Sequence, residues 1–126
     1  MVTLHDARQR DILTSPDRTG YVLAMLSPAD MAPLLDALDE LGCPPADLLV
    51  LSGPEVLAVL ADETRQMSAA TGDMLCYAQA ARRGYAMIII HAPELLRQRL
   101  VEEVLAAEGA QIIRAYGPEL ATVQRR

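Results

Sequence analysis

Apolar and polar positions follow two distinct rhythms along this chain. Residues 21–26 and 85–91 are apolar almost without interruption, the pattern of a strand buried on both faces. Each run leads into a stretch with apolar side chains at helical spacing. In the first stretch these are Met31, Leu34, Leu35, Leu38 and Leu41, with Asp36, Asp39 and Glu40 on the water side. In the second they are Leu96, Leu100, Val104 and Ala107, with Val101 and Leu105 beside them. Gly42 and Gly109 follow the last turns, where a left-handed residue ends a helix, and Pro44-Pro45 blocks continuation. The first helix starts at Ser27-Pro28 or at Asp30. Pro33 favours the later start, because a proline deeper inside would lose a backbone bond. Pro93 opens the second helix, with Glu94 at the positive end of its dipole. Residues 47–52 and 111–116 read as further strands.

The chain is therefore two copies of strand, helix, strand. Gly20-Tyr21 returns as Gly84-Tyr85, and Ser52-Gly53-Pro54-Glu55 returns as Tyr116-Gly117-Pro118-Glu119, at one constant offset. Ser27-Pro28-Ala29-Asp30 answers to Ala92-Pro93-Glu94, and Leu41-Gly42 to Glu108-Gly109. The second copy has a slightly longer helix and a shorter loop after it. Between the copies, residues 54–62 read as a short helix, 63–72 as a polar loop and 73–83 as a helix stopped by Gly84. The expected organisation is a single domain, 1–126. It has a loose N-terminal segment (1–19), a first βαβ unit (20–53), a helical insertion (54–83), a second βαβ unit (84–117) and a tail (118–126).

Two βαβ units in series predict an α+β fold, a ferredoxin-like sandwich with antiparallel strand order 4-1-3-2. Strands one and three are central in that scheme, and they are the two that are apolar on both sides. Strand four is an edge and carries Gln111 and Arg114. Strand two is also an edge, yet Leu48-Leu49-Val50-Leu51 is more apolar than an edge should be. The helices of the repeats cover only one sheet face. The other face is apolar as well, so either the insertion or a second subunit must lie on it. This pattern favours a homo-oligomer, with a dimer first.

Composition narrows the function classes. Hydrophobic residues make up 52% of the 126, aromatics only 3%, and all eleven basic residues are Arg. The formal net charge is −6 and the arginines are scattered. Nucleic acid, which demands a basic face, is not an expected partner, and neither is an anionic membrane surface. No apolar stretch follows Met1 and no run nears the ~20 residues of a membrane span, so a cytoplasmic location is expected. Cys43 and Cys76 form no CxxC pair and read as reduced thiols. His5 and His91 lie far apart, and His91 with Glu94 does not make a ligand set, so no metal is expected. The Gly-Pro-Glu turns lack the glycines and lysine of a phosphate loop, and no cofactor is expected.

His91 is the most suggestive single residue. It ends a central strand at a helix start, where an imidazole could move protons, or it simply takes the position of Ser27 in the other copy. Tyr85 and Tyr116 join it as candidate catalytic residues. Tyr77, Arg82, Arg83 and Arg114 are candidates for holding a small anionic ligand. Arg82-Arg83 also suits a solvated helix C-terminus.

The segment from Leu48 to Tyr116 resembles a group of small bacterial proteins related to the general stress protein family, which has heat-induced members. The resemblance rests on Leu48 through Glu55, Tyr77 through Ala81, Arg83-Gly84 before an apolar strand, Glu108-Gly109-Ala110 and Tyr116-Gly117. After Tyr-Gly the family continues with Arg and Trp, where this chain has Pro118-Glu119. The resemblance implies a short βαβ-repeat domain of ferredoxin-like shape and carries over no catalytic residue. The leading expectation is a non-enzymatic, cytoplasmic, homo-oligomeric protein with a stress-associated or regulatory role. One alternative is a small-molecule sensor resembling PII signalling proteins. That reading needs Arg82, Arg83 or Arg114 to converge on a cleft. The other is a cofactor-independent enzyme of the dimeric α+β barrel type, which needs an open apolar cavity between sheets.

Overall fold

The computed structural model describes residues 20–66 and 72–116. The chain runs β1 (Tyr21–Leu26), a 3-10 turn (Pro28–Asp30), α1 (Met31–Leu41), a second 3-10 turn (Pro45–Asp47), β2 (Leu48–Leu51), α2 (Gly53–Gln66), α3 (Gly72–Arg82), β3 (Ala86–His91), α4 (Leu95–Ala107) and β4 (Ile112–Tyr116). The segment 1–19 with His5, positions 67–71 of the expected loop, the Gly117-Pro118-Glu119 turn and the tail 118–126 lie outside the described residues.

Local chemistry sets the element ends. The Ser27 hydroxyl accepts from the Ala29 backbone N–H at 3.3 Å and holds a 3-10 turn before α1 proper. Pro33 then sits in the first turn of α1, where its missing N–H has no helical partner to lose. Ser52 and Glu55 cap α2 reciprocally: Ser52 N–H donates to Glu55 Oε1 at 2.8 Å, and Glu55 N–H to Ser52 Oγ at 3.3 Å. Pro93 does not open α4. The first helical bond runs from Gln98 N–H to the Glu94 carbonyl at 2.9 Å, so Glu94 is the N-cap and Pro93 stands outside. The helix expected to end at residue 62 continues to Gln66, since Glu, Arg and Gln sustain a helix without an apolar stripe.

The strands form one antiparallel sheet in the order β2-β3-β1-β4; counted from the other edge, the same line is β4-β1-β3-β2. β1 faces β3 from Tyr21 opposite His91 to Leu26 opposite Ala86. β4 lies along the other side of β1, with Tyr116 opposite Tyr21 and Ile112 opposite Met25. β2 flanks β3, with Leu48 opposite Ile90 and Leu51 opposite Met87.

Both faces of this sheet are covered by the chain itself. Val22, Ala24, Leu26, Ile88 and Ile90 pack under α1 and α4, against Leu34, Leu38, Val101 and Leu105. Leu23, Met25, Met87 and Ile89 pack under α2 and α3, against Val56, Leu60, Met74 and Tyr77. Of the two coverings that the apolar second face demanded, the insertion supplies the one present, so that face needs no partner subunit.

The apolar stripe expected for α4 is not the buried one. Leu96 is 71% exposed and Leu100 37%, while Val101, Leu105 and Gln98 face the core. α4 carries apolar side chains around most of its circumference, so spacing alone picks no face. The sheet selects the Val101–Leu105 side.

Candidate functional site

His91 ends β3 in a row of polar and aromatic side chains across one end of the sheet. Tyr21 stands opposite it on β1, with ring centroids 4.9 Å apart and planes tilted by 42°. Asp47, just before β2, puts Oδ1 3.9 Å from His91 Nδ1, an electrostatic contact too long for a hydrogen bond. Tyr116 lies on the far side of Tyr21. Its hydroxyl meets that of Tyr77 at 2.8 Å. Its carbonyl accepts from Gly20 N–H at 2.7 Å and from Gln98 Nε2 at 3.1 Å.

Beside this row opens a cleft of about 120 Å³, lined by Cys43, Pro44, Asp47, His91, Glu94 and Arg97 among others. That is small against the several hundred Å³ of drug-sized sites. It suits a ligand of a few heavy atoms, not a nucleotide. Arg97, in the first turn of α4, reaches across it and donates from Nη1 to the Leu41 carbonyl at 2.9 Å. This satisfies one of the carbonyls that the end of α1 leaves unpaired. The same guanidinium lies close enough to Cys43 to act on its thiol. Burial pushes the Cys43 thiol up from its usual range, Arg97 pulls back part of that rise, and Asp47 adds to it. Cys43 is therefore held as a thiol at neutral pH and is not an activated nucleophile.

The repeat explains why the cleft exists. Gly42 and Gly109 end the two helices with positive φ (98° and 94°). Each lies beside a charged side chain from the start of the other repeat's helix. The Arg97 guanidinium is 3.7 Å from where a Gly42 side chain would begin, and the Asp30 carboxylate is 3.4 Å from that point on Gly109. After Gly109 only positions 110–111 precede β4; after Gly42, positions 43–47 precede β2. The longer loop of the first copy brings Cys43 and Asp47 to the cleft. His91 occupies the position that Ser27 fills in the other copy.

The other candidates lie elsewhere. Tyr77 is fully buried in the core beneath α3. Tyr85 precedes β3 at the end opposite His91, about 20 Å away along the strand, so the two cannot serve one reacting atom. Arg82 and Arg83 are exposed at the C-terminal end of α3. Arg114 stands opposite Leu23 in mid-sheet and donates to the Ile113 carbonyl at 3.1 Å. None of these three arginines lines the cleft. The apolar face that a barrel-type cavity would use is filled by α2 and α3. Asp47 and Arg97 were missed by the sequence reading. The signal for Asp47 was the departure from repeat symmetry, a loop lengthened in one copy only; Arg97 left none.

Among the described residues no three His, Cys, Asp or Glu side chains cluster as a metal site, and no helix is long and apolar enough to cross a membrane. Compared with known proteins, the chain matches no family model, no curated protein and no solved structure.

Proposed function

We propose that this chain is a non-enzymatic regulatory protein of the cytoplasm, working as a homo-oligomer and responding to a small anionic ligand in the cleft between its repeats. We read its fold as a ferredoxin-like sandwich whose second sheet face carries an added helical layer. The resemblance to the general stress protein family supports a stress-associated role.

One observation carries the reading: Arg97 lines the cleft and at the same time ties α4 to the last turn of α1. A carboxylate or phosphate drawing on that guanidinium competes with the bond to the Leu41 carbonyl. Occupancy then changes how the two repeats are held together, which is what a regulatory domain requires. Asp47 and Glu94 also line the cleft, so an anion must gain enough at Arg97 to offset two carboxylates.

The test is native mass spectrometry of the purified chain, followed by thermal shift with inorganic phosphate and a panel of two- to six-carbon carboxylates. A bound mass, or a rise in melting temperature that Arg97→Ala abolishes, is the expected result. No co-purified mass, together with no shift at millimolar concentration of any probe, overturns the ligand reading.

A further inference from the structure

The outer edge of β2 is an unpaired, wholly aliphatic strand edge among the described residues. We infer that two copies of this chain pair there, edge to edge, about a two-fold axis through Val50. This rests on the oligomeric part of the reading above and assigns it a surface.

Natural edge strands are guarded by a charge, a proline or a bulge, because their free N–H and C=O groups accept any passing strand. Within Leu48–Leu51 β2 has none of these, and its only protection is a length of four residues. Leu48, Leu49, Val50 and Leu51 are all aliphatic, and Val50 is 39% exposed. Among the described residues no strand pairs with its outer side. The opposite edge, β4, carries Arg114 in mid-strand. Next to Val50, an open hollow of about 460 Å³ is mostly apolar, formed by Pro28, Met31, Pro54 and Ala86, with Ser52 and Glu55 also on its wall. It is a seat for the side chains of a strand laid along β2.

A second copy fits this edge better than a foreign strand does. Residues in an antiparallel pair alternate between two bonding types, so a strand pairing with its own copy must be centred on one residue facing itself. Centring on Val50 sets Leu49 beside the other copy's Leu51 and Leu48 beside its Ser52, so no charge falls within the paired strands, and the flanking Asp47 lies opposite Gly53. Centring on Leu49 would bring Asp47 opposite Leu51, inside the strand. The contact is isologous, joins two four-stranded sheets into one, and uses up both β2 edges at once. Two chains of net charge −6 repel, so they meet most readily along an uncharged strip, and residues 48–54 contain no charge.

Light scattering after gel filtration of the full chain at 10–100 μM is the test. The wild type is expected at twice 13.7 kDa, and Val50→Lys at the single mass with an unchanged circular dichroism spectrum. Val50→Cys, in a Cys76→Ser background, is expected to form a reducible covalent dimer with diamide as oxidant. A monomeric wild type overturns the oligomer and this interface together, whatever the cleft binds. A dimer that survives Val50→Lys and resists cross-linking, but dissolves with Leu96→Lys, keeps the oligomer, moves it to α4 and overturns the β2 edge.

Discussion

At the scale of single residues, the two cysteines report on two different environments. Both are free, Cys43 buried and Cys76 half-buried. Burial raises the Cys43 thiol despite the neighbouring Arg97 guanidinium. Iodoacetamide at neutral pH should therefore label Cys76 well before Cys43, read by mass spectrometry of the two peptides. The raised value also couples to stability. The folded chain holds the Cys43 proton to higher pH than the unfolded chain does, whose thiol titrates near ~8.5. This contribution is complete below that pH and is lost as pH rises beyond it. Urea midpoints of the wild type should fall more steeply between neutral and alkaline pH than those of Cys43→Ala. Equal slopes would remove the effect. His91 was legible in the sequence because a lone imidazole at a strand end stands out. Arg97 was not, since one arginine in the first turn of a charged helix looks like any solvated side chain until the fold brings Leu41 and Cys43 to it. Tyr77 and Tyr116 were legible as unusual residues in an aromatic-poor chain. Their role is a hydroxyl pair between the α3 core and the end of β4.

At the scale of elements, period and punctuation located each strand and each α-helix of the described residues, though α2 runs to Gln66 where the sequence predicts a loop from residue 63, while the choice of buried face succeeded only where the pattern was one-sided. α1 buries Met31, Leu34 and Leu38, as its stripe predicts, because Asp36, Asp39 and Glu40 mark the opposite side. α4 offered Leu96–Leu100 and Val101–Leu105 as nearly equal stripes, and no local rule ranks them. Gln98, a polar residue only 2% exposed, was the unread clue: it spends its amide on the Tyr116 carbonyl and fixes α4 against β4. The junction of α2 with α3 is tighter still. A side chain on Gly53 would begin 2.8 Å from the Ala81 carbonyl and 3.0 Å from that of Tyr85, both fixed backbone atoms. Gly53→Ala should cost about 1–3 kcal/mol, the usual range for overpacking, measured by urea denaturation. A neutral result would mean that α2 can shift away from α3 without loss.

For the whole molecule, the sheet alone does not explain the length of the connection between β2 and β3. These strands are antiparallel neighbours, and Leu51 faces Met87, so a hairpin of two to five residues could join them. The chain instead devotes residues 53–66 and 72–82 to two helices that lie on the second face. The aliphatic excess of the composition follows from this plan: a sheet covered on both sides needs apolar side chains pointing both ways on its central strands. The sequence carried that demand plainly in residues 21–26 and 85–91. It left open whether the cover came from this chain or another, because α3 is too weakly amphipathic to advertise the side it buries. The cover can be tested by removing it. Replacing residues 53–85 with an Asn-Gly turn sets Ser52 opposite Ala86, preserves the β2–β3 register and exposes Leu23, Met25, Met87 and Ile89. Such a variant should bind a hydrophobic dye and associate into species larger than those of the full chain, since a contiguous apolar face of several hundred Å² does not stay in water. A shortened chain with the mass of the wild-type assembly and no dye binding would mean that the sheet has another cover.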